Sequence, residues 1–237
     1  MDLGGTEITW LGHSAIRIRL ADGTTLLIDP WLTGNPACPE SEQSQPRVDS
    51  IYLTHGHFDH FGDTMELVGV HNPQVFAIHE ISVYLAANGV QHAVGLNKGG
   101  SVSGPGGVIG TLVTAVHSSG ISENDRIVPG GEAGGWVLAL PGGPTLYHTG
   151  DTALFSDLAL VGETHHPDLV FLPIGGHYTM GPEQAAKAAT LIGAPVVVPI
   201  HWGTFPILTG TPAELATALA GTGVSVITPE VGSPLAG

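Results

Sequence analysis

Short apolar runs recur along the chain, and each is closed by Gly, Pro, Asp or Asn. In the first third, TEITWLG, SAIRIRL and TTLLIDP read as strands, with Asp22-Gly23 marking a tight turn. Arg17 and Arg19 alternate with Ile16 and Ile18, so one face of that strand meets solvent. VDSIYLT and QVFAIH are strands flanking a helix that begins near Phe61, FGDTMELVGV, and EISVYLAANG is a helix ended by Gly89. The glycine-rich stretch 95–110 reads as turns between short strands, since no Gly-x-Gly-x-x-Gly can be placed in it. The second half repeats the style. GTLVTAVHSS, GGWVLALPG and PTLYHTGDT are strands, and TALFSDLALVGE is a helix. PDLVFLPIGG is a strand, GPEQAAKAATLIG a helix with Pro182 at its start, APVVVPIH a strand and TPAELATALAG a capped helix.

Strand-rich and helical segments alternate in both halves, which predicts two similar β/α units sharing one core, approximately residues 1–106 and 107–237. No internal sequence repeat and no long linker is visible, and 237 residues suit a single domain of that kind.

Composition narrows the function classes. Only 11% of residues are charged and the formal net charge is −15, with six Lys and Arg in all. A nucleic-acid surface needs clustered cations to displace counterions, so no nucleic-acid partner is expected. Cys38 is the one cysteine and excludes an internal disulfide. The N-terminal residues lack the basic and apolar segments of a signal peptide, and no apolar run reaches membrane-spanning length. The expectation is a cytoplasmic protein with a small-molecule substrate and no membrane insertion.

The scarce polar side chains are concentrated. LTHGHFDHFGD places three histidines and two aspartates at the passage from a buried strand to a helix. His55 and His57, two apart in an extended segment, point the same way and can grip one ion. Asp59 and His60, adjacent at the turn, can diverge toward a second, and Gly56 permits a tight backbone. His117, Asp151, His177 and His201 each follow a hydrophobic strand, so strands sharing a sheet edge would bring them together. Imidazole with carboxylate is the ligand set of zinc, iron or manganese, and a carboxylate such as Asp151 can bridge two cations. Neither a Gly-x-Ser-x-Gly elbow nor a catalytic cysteine is present to supply a protein nucleophile.

THGHFDH resembles the His-x-His-x-Asp-His signature of the metallo-β-lactamase superfamily, and the later His, Asp and His arrive in that family's order over nearly the whole chain. WLGHSAIRI, LIDPWL, YHTGDTALF and LPIGGHYTM are similar to the branch described as metal-dependent hydrolases, related to ascorbate-6-phosphate lactonases and, more distantly, to N-acyl phosphatidylethanolamine phospholipase D. The resemblance implies a four-layer αβ/βα sandwich, two mixed β-sheets with helices on the outer faces. It implies two divalent metal ions per chain, zinc first and manganese or iron as alternatives. His55, His57 and His117 would hold one, Asp59, His60 and His201 the other, with Asp151 between them. The implied activity is hydrolysis of a small ester, lactone or phosphoester by a metal-bound hydroxide. The absence of a cysteine at the late ligand position, where Asp151 stands, argues against lactam hydrolysis.

Asp59 and His177 are the expected catalytic residues, His177 as proton donor or substrate contact. His13 and Asp29 are candidates for orienting ligands or touching substrate. His148 reads as core. His71, His92, His165 and His166 read as loop or surface, and His79-Glu80 lacks the second histidine of a zinc-protease helix. The polar, Pro-rich loop 32–47 is long enough to overhang the site. Three other activities remain open: a phosphodiesterase or nuclease of the same superfamily, a mononuclear iron oxidoreductase of the persulfide dioxygenase kind, and a non-catalytic metal scaffold. A homo-oligomer is compatible with the sequence.

Overall fold

The computed structural model describes residues 2–235. The first apolar runs form a six-stranded sheet in sequential order: β1 (Glu7–Trp10), β2 (Ile16–Arg19), β3 (Thr25–Ile28), β4 (Ser50–Tyr52), β5 (Gln74–Ile78) and β6 (Ala93–Leu96). The first three are antiparallel, and β3 to β6 run parallel. The second sheet has seven strands: β7 (Ser101–Ser103), β8 (Ile109–Thr114), β11 (Gly134–Ala139), β12 (Thr145–His148), β13 (Leu169–Pro173), β14 (Val196–Ile200) and β15 (Ser225–Val226). It too is antiparallel over its early strands and parallel from β12 onward. A separate hairpin, β9 (Gly120–Glu123) with β10 (Arg126–Pro129), lies between β8 and β11 in the chain.

Residue alternation builds the layers. Trp136 and Leu138 on β11, and Leu169 and Phe171 on β13, join the core shared with the six-stranded sheet. Their neighbours Val137, Val170 and Leu172 face the other way, onto an alanine-rich helix surface. That surface belongs to α6 (Pro182–Ile192), which buries Ala185, Ala188 and Ala189 between α5 (Leu158–His165) and α7 (Pro212–Ala218). Small side chains there let the helix approach the sheet closely. On the opposite side, α3 (Thr64–His71) and α4 (His79–Ala87) cross between parallel strands of the first sheet. The expected αβ/βα sandwich with outer helices is therefore observed. Thr211 and Glu214 close a reciprocal capping box on α7, as its sequence predicts.

Three local expectations are corrected. The helix predicted from Phe61 is split: one turn, α2 (Phe58–Phe61), precedes α3. The break lies at Gly62, where a Cβ would sit 2.5 Å from the Trp31 Cα, and where the Asp63 N–H donates to the Pro30 carbonyl instead of continuing a helix. The helix predicted from Thr152 begins only at Leu158. Thr152 Oγ1 accepts from the Val116 N–H and the Ala153 N–H donates to the Val116 carbonyl, so that stretch is held against the loop after β8. The loop 32–47 contains the short α1 (Glu40–Gln43), ion-paired through Glu42 to Arg17. It lies along the sandwich and contributes nothing to the cavity described below.

Candidate metal centre

Strands of both sheets deliver their following residues to one edge of the sandwich. Asp29 follows β3, the His55–His60 segment follows β4, His117 follows β8, Asp151 follows β12 and His201 follows β14, while His13 sits in the turn between β1 and β2. The second sheet fixes the exit of β4. The Trp136 indole N–H donates to the Leu53 carbonyl and the Gly134 N–H donates to the Thr54 carbonyl, each at 2.9 Å. Gly56 is required for space: a Cβ would lie 2.7 Å from Ile121 of the hairpin. The turn carrying Asp151 is held by the buried His148, whose Nδ1 accepts from the Gly150 N–H at 3.1 Å and whose Nε2 donates to the Ser14 carbonyl at 2.9 Å.

Backbone strain gathers here. His13, Asp29 and His201 adopt positive φ of 52°, 48° and 53°. Left-handed conformations disfavour side chains by about 1–2 kcal/mol per residue. At three positions of one cluster the strain is offset by the packing and hydrogen bonds that hold them.

Three groups of donor atoms gather here; one, Asp29 with His55 and His60, is joined by the hydrogen bonds described below, and the other two are the candidate ligand sets. Those of His55, His57 and His117 lie within 4.8 Å of one another, as do those of His13, Asp59, His60 and His201. Asp151 connects them: its carboxylate oxygens are 3.0 Å from His201 Nε2, 3.3 Å from His60 Nε2 and 3.6 Å from His117 Nε2. Ligand atoms about 2.0–2.1 Å from a tetrahedral zinc ion stand roughly 3.3 Å apart, so these separations are ones that a cation between the atoms would impose. His55 Nε2 and His57 Nδ1, 3.0 Å apart, fit the same way.

A relay of hydrogen bonds sets the imidazole tautomers. Asp29, fully buried, accepts from the Thr54 N–H through Oδ1 at 2.8 Å. Its Oδ2 accepts from the Thr54 hydroxyl and from His60 Nδ1, each at 2.7 Å. With its proton committed to Asp29, the Thr54 hydroxyl accepts from His55 Nδ1 at 2.9 Å. Both His55 and His60 thereby carry hydrogen on Nδ1 and present the Nε2 lone pair inward. His60 Nε2 and Asp151 Oδ1 are buried and lack hydrogen-bond partners, so two electron-rich atoms face each other. That arrangement calls for positive charge between them, and the residues fit a bound cation.

The electrostatics agree. Burial alone would depress the His60 pKa, but the carboxylates of Asp151 and Asp29 outweigh it and hold it well above its ordinary value, so without a cation a proton on Nε2 answers the same demand for positive charge opposite Asp151 that a metal would meet. Burial raises the Asp151 pKa, yet His201 and His60 bring it well below the usual carboxylate range. At His55 burial dominates, reinforced by His60, and lowers the pKa. His13 is pushed down to about 4, chiefly by burial and by His201. Neutral His13 therefore donates Nε2–H to the Asp59 carboxylate at 3.1 Å, while its Nδ1 is 3.0 Å from the Thr204 hydroxyl. Burial opposes ionisation of Asp59, but the His13 hydrogen bond and the charge of His60 hold its pKa at about 2.

His177 stands apart. It is exposed, at a φ of 55°, with its ring edge-on to Tyr178 at 4.4 Å. Tyr178 lines a cavity of about 800 Å³ that opens over His57, Asp59, His117, Asp151 and His201. The remaining wall comes from residues that sequence reasoning passed over: Phe58, Phe205, Ile207 and one face of the hairpin. Asn124 and Asp125, both at positive φ, form the hairpin turn, and this Asn-Asp pair between two short runs was the available signal. Thr54, also passed over, was marked only by its place directly before His55.

A family profile described as "Beta-lactamase superfamily domain" matches residues 24–202. The chain is similar to a UPF0173 metal-dependent hydrolase of Koribacter versatilis, 50% identical over 215 residues that cover 91% of this chain and 92% of that one. A UPF0173 metal-dependent hydrolase of Solibacter usitatus is 46% identical, with 97% of this chain and 99% of that one covered. Among solved structures, Igni18, a metallo hydrolase from Ignicoccus hospitalis, superposes with a TM-score of 0.84 at 35% identity, covering 97% of each chain.

Proposed function

The chain belongs to the beta-lactamase superfamily and is a metal-dependent hydrolase, and from that premise we propose that it cleaves a small ester, lactone or phosphoester at a centre of two divalent cations. His55, His57 and His117 would hold one cation and Asp59, His60 and His201 the other, with Asp151 placed beside both groups. The observation that carries this reading is the Asp151 carboxylate, within 3.6 Å of histidines from both groups and facing the unpartnered His60 Nε2. When bound, a cation pair supplies an acidified water and a Lewis acid for the oxygen under attack.

The chain's own residues prepare that chemistry. Asp29 and Thr54 hold a ring hydrogen on Nδ1 of His60 and of His55, so that Nε2 is the atom each turns toward a cation. His13 holds the Asp59 carboxylate in place. His13, His55, His60 and His201 are buried, and the cavity opens over the cluster. His177, whose ring packs against the cavity-lining Tyr178, serves as proton donor to the departing oxygen or as a substrate contact.

Elemental analysis of purified protein, paired with ester, lactone and phosphodiester substrates, tests the proposal. Two equivalents of zinc or manganese per chain are expected. Asp59→Ala and His60→Ala are expected to abolish turnover while far-UV circular dichroism stays unchanged. One iron per chain with oxygen uptake in the presence of thiols, or wild-type rates in both variants, overturns the two-cation reading.

A further inference from the structure

The cavity over the cluster is strongly asymmetric. Its floor is the His and Asp side chains, whereas its walls are mostly apolar, Phe58, Ile127, Pro129, Tyr178, Phe205 and Ile207, interrupted by Ser118, Ser119 and Ser122, which carry no charge. Four of these are unusually exposed for their type: Ile127 at 71%, Tyr178 at 58%, Phe58 at 57% and Ile207 at 44%. Isolated exposed apolar residues are ordinary, but a contiguous set around a polar floor marks a binding surface.

The hairpin explains how the wall is built. Cross-strand pairing sets Ile127 opposite Ser122 and Pro129 opposite Gly120, so these four positions share one face, and all four line the cavity. The alternate face carries Ile121, which is buried against Gly56 and joins the main core. One side of the hairpin is thus anchored directly beside the His55–His60 segment, and the other is presented to whatever occupies the cavity.

Charge decides what that occupant is. No Lys or Arg lines the cavity among the described residues. Arg17, Arg19, Arg47 and Lys98 are ion-paired elsewhere, and Lys187 lies on α6 in the outer helix layer. Arg126 precedes Ile127 on β10, and strand alternation turns it to the opposite face. A phosphate or carboxylate on the distal part of a substrate would find no cation there, in a protein of net charge −15.

Resting on the hydrolase reading above, we propose that the wall formed by the hairpin, Phe58, Tyr178, Phe205 and Ile207 binds an uncharged aliphatic acyl chain, so that the substrate is a neutral ester or lactone of medium chain length. The reacting carbonyl lies over the His and Asp floor, and the chain runs along Ile127 and Ile207. Water adds to the carbonyl carbon, the ester C–O bond breaks, and the departing oxygen takes a proton, giving acid and alcohol.

The test is a p-nitrophenyl ester series from acetate to octanoate with metal-loaded protein, alongside bis(p-nitrophenyl) phosphate. Burial of each methylene predicts about a two- to fourfold rise in kcat/KM until the cavity is filled. Ile127→Asp, at an exposed hairpin position, and Ile207→Asp are each expected to lower the octanoate-to-acetate ratio by about tenfold or more. A flat or falling series with metal-dependent turnover overturns the acyl-chain proposal and leaves the hydrolase reading standing. If no ester or phosphodiester is turned over, the proposed ester and phosphoester specificity fails, and binding of the neutral dye N-phenyl-1-naphthylamine to metal-free protein decides the wall's role. Binding weakened about fivefold by Ile127→Asp supports it; no binding overturns it. Sedimentation showing a dimer that Ile127→Asp dissociates assigns the apolar rim to a second copy of the chain and also overturns the proposal.

Discussion

Asp29→Asn replaces one oxygen by an amide nitrogen at a carboxylate with no exposure to solvent and three donors aimed at it. An asparagine has two ways to sit. If its nitrogen takes the Oδ1 place, it opposes the Thr54 N–H, donor against donor. If it takes the Oδ2 place, it donates toward Thr54 Oγ1 and His60 Nδ1, and the imidazole must move its proton to Nε2. Either way about one hydrogen bond to a charged group is lost, on the order of 1.5–3 kcal/mol. In the second arrangement the loss falls on metal affinity, because the atom facing Asp151 no longer offers a lone pair. Replacing a residue that orients a ligand in this way weakens binding about 10–100-fold, or about 1.4–2.7 kcal/mol, which agrees with the hydrogen-bond figure. Competition between the protein and a chromophoric chelator for zinc reads this directly. Calorimetry offers a second measure: the zinc-induced rise in Tm should shrink by roughly 3–10 °C for a domain of this size. Thr54→Val is the companion. It leaves the Asp29–His60 bond in place and frees only His55, so one of two zinc equivalents should weaken. Zinc affinity of Asp29→Asn within about threefold of wild type would refute the tautomer argument.

Trp136→Phe keeps the buried ring but leaves the Leu53 carbonyl without its donor, and should lower stability by about 1–3 kcal/mol in urea unfolding, with the m-value unchanged. His13→Gln, which keeps an N–H toward Asp59, should bind metal better than His13→Ala; equal affinities would show that the hydrogen bond does not position Asp59. His177→Ala should lower kcat by about 10²-fold or more with metal content unchanged, as expected for a proton donor, and unchanged kinetics would assign the residue to the surface.

Most of the secondary structure was readable because its signals are local. The apolar runs SIY, VFAI, LVFLP and VVVPI became the parallel strands β4, β5, β13 and β14, and Pro182, Thr211 and Glu214 marked helix starts where they occur. The elements misjudged are those where a distant segment competes for the backbone. LALVGETH is helical and the preceding TALFSD is not, because Val116, some 36 residues earlier, takes the hydrogen bonds that a first helical turn would need. The helix at Phe61 breaks for the same kind of reason, through contact with Pro30 and Trp31.

The sequence alone determined which side chains are available for chemistry and the strand ends from which they emerge, since spacing and hydrophobic alternation are properties of neighbouring residues. Only the tertiary structure decided how those side chains are used. Asp29 was visible as a candidate, but its grip on His60 directly and on His55 through Thr54 depends on β3 and β4 lying side by side. The pairing of His13 with Asp59, the bridge from Asp151 to both histidine groups and the apolar wall from the hairpin likewise join residues tens of positions apart. Hydrogen bonds and lone-pair oppositions act over about 3 Å, and the distances between segments so far apart in the chain are set by how the two sheets pack.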